Sequence, residues 1–68
     1  MNEGNQAPSM TTGERIRAYR EEALRRGKDD AARRLLICAE AAESGRVHFT
    51  RAIMNAEGIM RHEVRKRA

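Results

Sequence analysis

Apolar residues recur with a helical period in three stretches of this chain, separated by short polar or glycine-containing segments. The middle stretch, Asp29 to Gly45, has both ends marked. Asp29 or Asp30 can cap a helix, because a carboxylate accepts the unpaired N–H groups of the first turn and meets the positive end of the dipole. Gly45 can end it, because glycine takes the left-handed C′ conformation without a Cβ clash. Between them Ala31, Ala32, Leu35, Cys38, Ala39 and Ala42 share one wide face, whereas Ile37 points roughly 200° away from Leu35, beside Arg33, Arg34 and Ala41. A helix that is apolar on more than one side belongs at the centre of a fold, with flanking helices on one face and a second molecule on the other.

The flanking stretches read as amphipathic helices. Thr11-x-x-Glu14 fits a capping box, with Thr12 as the alternative cap. The first helix then covers about 14–26, with Ile16, Tyr19, Ala23 and Leu24 as its stripe and Gly27 as its stop. The second covers about 30–44. Thr50 is a candidate cap for a third helix over about 50–66, with Phe49 and Met54 placed as a hydrophobic staple. Ala52, Ile53, Ala56, Ile59, Met60 and Val64 form its stripe. Residues 1–10 are polar, contain Gly and Pro and lack periodicity, which predicts a disordered tail. The expected fold is therefore all-α, a small three-helix bundle over residues 11–68, with dimerisation as one way to complete its core.

Thr12-Gly-Glu-Arg-Ile-Arg, with Arg20 following, resembles the first helix of Cro/repressor-type helix-turn-helix proteins. The likeness stops there. No short helix, tight turn and second helix follow, and with Gly45 at the turn the flanking positions that should be apolar hold Glu40 and Arg46. No family membership follows from it.

Length sharpens these expectations. Sixty-eight residues bury a limited core and need efficient packing, a staple or a partner. Cys38 is the single cysteine, so no disulfide forms within the chain, and with only His48 and His62 beside it no standard metal-ligand spacing exists. No metal and no cofactor is expected. The polar N-terminus lacks the apolar core of a signal peptide, and the run Leu35 to Ala39 is too short to span a bilayer, so a cytoplasmic protein away from membranes is the expectation. An enzyme is not expected either: short alanine-rich helices rarely enclose a pocket, and a thiol in apolar surroundings is inert.

Charge raises the functional question. The chain is +4, and all its cations except Lys28 and Lys66 are arginine. In the first helix Arg17 with Glu21, Glu21 with Arg25, and Glu22 with Arg26 stand at i,i+4, the pattern of a solvated face. On the central helix Glu40 and Glu43 suit pairing with arginines of the flanking helices. The third helix differs. Arg51, Asn55, Gly58, Arg61, His62 and Arg65 gather on one face, with Glu57 and Glu63 toward the edges of the apolar stripe. Arginine can read guanine or grip phosphate, asparagine can read adenine, and glycine lets a backbone approach. The expected function is a small nucleic-acid-binding regulator, a homodimer, docking Arg51, Asn55, Arg61, His62 and Arg65 on a phosphate backbone. Cations near a helix C-terminus also suit the dipole, which accounts for Arg61 and Arg65 without any ligand. The alternative function is a protein–protein interaction module, an adaptor or inhibitor, that binds through apolar surface at Leu36, Ile37 and Met54.

Overall fold

The computed structural model describes residues 10–66. The expected tail lies outside them except for its last residue. Three helices follow in order: α1 (Thr12–Arg25), α2 (Asp29–Glu43) and α3 (Phe49–Ile59), the last running on into a π-helical turn, Met60–Val64. Among the described residues there is no strand.

The helix ends follow from local chemistry, with two departures from expectation. At α1 the capping box forms: the Thr11 hydroxyl accepts from the Glu14 N–H at 3.1 Å, and the Glu14 carboxylate accepts from the Thr11 N–H at 2.9 Å. Gly27, at φ +73°, closes α1 with the Lys28 N–H donating to the Ala23 carbonyl and its own N–H to that of Leu24. Lys28 is then the N-cap of α2 and supplies no side-chain cap, so Asp29 and Asp30 are not caps but first-turn residues. The turn that ends α1 leaves a single residue before α2 begins, and the two carboxylates act through the dipole instead. Gly45, at φ +79°, ends α2 in the same way, with the Arg46 N–H donating to the Ala41 carbonyl. At α3 the cap is His48, not Thr50: its Nδ1 accepts from the Thr50 N–H at 3.2 Å, and its ring stacks on Phe49 at 4.4 Å. That shift puts Val47 and Ala52 in the staple positions and leaves Phe49 and Met54 exposed.

Ile16, Leu35, Met60 and Val64 are the large side chains of the core, and the other six buried apolar residues are all alanine, which lets the helices approach closely but limits the apolar area they bury. Arg17 near the start of α1 meets Glu43 at the end of α2, so these helices run antiparallel. Arg34 of α2 meets Glu63 late in the third helix, whereas Ala41 and Val47 meet near its start, so α2 and α3 are antiparallel too.

The π-helical turn sets which residues of the last segment face the core. At about 100° per residue, an unbroken α-helix would bring Glu63 to within roughly 20° of the buried Ala56 and leave Val64 about 80° off. A π turn advances only about 82° per residue. Over 60–64 this delay brings Val64 to within roughly 10° of Ala56 and swings Glu63 about 75° toward α2. Val64 is accordingly buried, and the Arg65 N–H donates to the Met60 carbonyl at 2.7 Å.

Candidate functional site

Three arginine–glutamate forks tie the helices together in pairs. Arg17 of α1 donates to Glu43 of α2 at 3.0 and 2.8 Å. Arg65 donates to Glu22 of α1 at 2.9 and 2.7 Å. Arg34 of α2 grips both carboxylate oxygens of Glu63. Bidentate geometry fixes orientation as well as charge. Hydrogen bonds from Arg65 and Arg17 hold the Glu22 and Glu43 carboxyls below their ordinary range, and the same bonds raise the two guanidinium groups. Around the second fork, the Tyr19 hydroxyl donates to Glu57 at 3.3 Å, and the Arg65 guanidinium lies 5.9 Å from the Tyr19 ring centre. Of the expected i,i+4 pairs only Glu22–Arg26 forms, at 3.3 Å; Arg17 turns instead to Glu43, and Glu21 pairs with Arg20.

The cationic face expected on the third helix is divided by this arrangement. The π turn rotates Arg65 toward α1, where Glu22 neutralises it. Arg61 accompanies it, lining a shallow cavity of about 320 Å³ with Tyr19, Glu57 and Met60. Asn55, Gly58 and His62 face the other way, into an open groove of about 560 Å³ between α2 and α3. Arg51 is exposed and lines neither. Six residues that share a face on an ideal helix thus stand at three separate places.

The candidate interface residues divide as well. Ile37 and Met54, 56 % and 63 % exposed, stand on opposite walls of the α2–α3 groove. Cys38 and Ile59 lie deeper in it, and burial raises the Cys38 thiol against the opposing pull of Arg34. A smaller recess of about 190 Å³ continues the groove between Ile37, Ala41, Val47 and Ala52. Leu36 is half-buried and lines neither part. It stands seven residues before Glu43, on the flank of α2 that turns to α1. Asn55, His62 and Cys38 were not legible as members of an apolar groove, since nothing in their spacing shows that α2 lies alongside; the one local signal was Gly58, which opens the α3 wall.

Among the described residues no three His, Cys, Asp or Glu side chains gather as a metal ion would need, and no helix is long and apolar enough to cross a membrane. Compared with protein-family models, with curated proteins and with solved structures, the chain matches none.

Proposed function

We propose that this chain is a non-enzymatic interaction module that binds a protein partner through the apolar groove between α2 and α3. The observation that supports the reading is the pair Ile37 and Met54, exposed on facing walls that the Arg34–Glu63 fork holds at a set spacing. Apolar groups that a small fold leaves in water gain about 25 cal/mol per Å² when a partner covers them. Gly58 adds room for a partner's side chain, since nothing lies within 4 Å of the place its Cβ would take. The test is a photo-crosslinking residue at position 37, with one at the exposed Arg15 as control. Adducts confined to position 37 support the reading; equal adducts at both positions, or none at 37, remove it.

A second reading, docking on a nucleic-acid backbone, is favoured by a different observation. Arg51 and Arg61 are exposed and make no ion pair with any described residue, in a chain of pI about 10.2. Fluorescence anisotropy of a labelled random duplex, at low and at physiological salt, decides it. Binding that weakens with a log–log slope of about −3 or steeper means that several phosphates are neutralised. No binding at low salt ends that reading.

A further inference from the structure

We propose that the partner covering this surface is a second copy of the chain, with α2 packed antiparallel on α2 about a two-fold axis at Ile37. The proposal rests on the interaction reading above and names its partner. It is carried by the charge order along the solvent-facing side of α2. Asp30, Arg33, Ile37 and Glu40 are exposed there, and Arg46 stands exposed just beyond the helix end. Read forward, the order is acid, base, apolar, acid, base; read backward, each charge changes sign. A two-fold pairing therefore brings Ile37 against Ile37, Arg33 against Glu40 of the other copy, and Asp30 against its Arg46. An isologous interface requires this self-complementarity. Arg33 and Glu40 make no ion pair with any described residue, so both are available for it. Ala41, half-buried beside Ile37, is small enough for the two helices to approach.

The neighbouring helix does not share this symmetry. On α3 no such order runs along one side: Arg51 is exposed apart from both cavities, Arg61 lies with the exposed Glu57 at the Tyr19 cavity, and His62 lies in the α2–α3 groove. The axis accordingly lies on α2, with Met54 extending the apolar patch at its edge. The core supplies the driving force: with six alanines among its ten buried apolar residues, the single chain buries little, and covering Ile37 and Met54 adds to it.

Sedimentation equilibrium on the full chain tests this. The wild type is expected to be a dimer. R33E and E40R are each expected to weaken association by about tenfold or more, because each replaces two attractions with two repulsions. Mixed in equal amounts, the two variants are expected to pair with each other, since the acid introduced at 33 then meets the base introduced at 40. Ile37→Glu is expected to give a monomer. All three positions are exposed, and unchanged far-UV circular dichroism confirms the fold. A wild type that stays monomeric overturns the proposal, and so does a dimer indifferent to Ile37→Glu or one whose charge variants fail to pair when mixed. A monomeric wild type whose position-37 crosslinks join it to a different protein overturns the second copy but leaves the interaction reading standing. A monomer with no crosslink at 37 overturns both.

Discussion

Deleting His62 should leave the fold standing, although a one-residue deletion inside a helix normally rotates everything after it. The π turn is the reason. Its five residues advance the chain through roughly the arc that four residues cover in an α-helix. With His62 removed and the turn relaxed to α geometry, Val64 falls about 20° from Ala56 instead of roughly 10°, and Arg65 stays about 80° round toward Glu22. The Val64 burial, worth about 1.5–3 kcal/mol, and the Arg65–Glu22 fork both survive. Urea denaturation followed by circular dichroism is then expected to show a stability within about 0.5 kcal/mol of wild type. Deleting Asn55, in the regular part of α3, is the contrast. It rotates Ala56 and Met60 about 80–100° off the core, a relaxed π turn bringing back only Val64, and for a domain of this size that loss is expected to abolish the unfolding transition. A His62 deletion that costs as much as exposing Val64 would refute the register argument.

Other outcomes follow from the same geometry. Leu35→Ala removes the largest fully buried side chain of α2 and is expected to cost about 2–5 kcal/mol, enough to unfold most of the population at room temperature, as read by circular dichroism. Gly58→Ala should raise the unfolding free energy read from urea denaturation by about 0.5–1 kcal/mol, because its added methyl meets open space; Gly45→Ala, at φ +79°, should lower it by about 1–2 kcal/mol. The depressed Glu22 and Glu43 carboxyls bind protons more weakly folded than unfolded, so their contribution is present above the unfolded carboxyl range and is lost as pH falls through their lowered folded values. Acid denaturation should therefore steepen below the ordinary glutamate range, and Glu22→Gln with Glu43→Gln should flatten that limb; an unchanged limb would show that the forks carry no stability in solution.

What the sequence settles here is local. Thr11 and Glu14 meet within one turn, Gly27 and Gly45 end helices through their own φ, and the apolar period marks three helical stretches, because each signal acts over four or five residues. The exposed Ile37 was legible for the same reason: a helix wheel needs no partner to show that it opposes Leu35. Tertiary packing decided the rest. It set the last turn to π geometry, since only the approach of α1 and α2 makes a buried Val64 and a displaced Glu63 the favourable outcome. It chose Glu43 over Glu21 as the partner of Arg17, because a bidentate fork across helices was within reach. It also took Arg65 out of the cationic face expected on the third helix, turned Arg61 toward Tyr19, and turned Asn55 and His62 into the α2–α3 groove. A residue's place on its own helix is fixed by rotation per residue, but what that place faces depends on helices many residues away, and no periodicity encodes that.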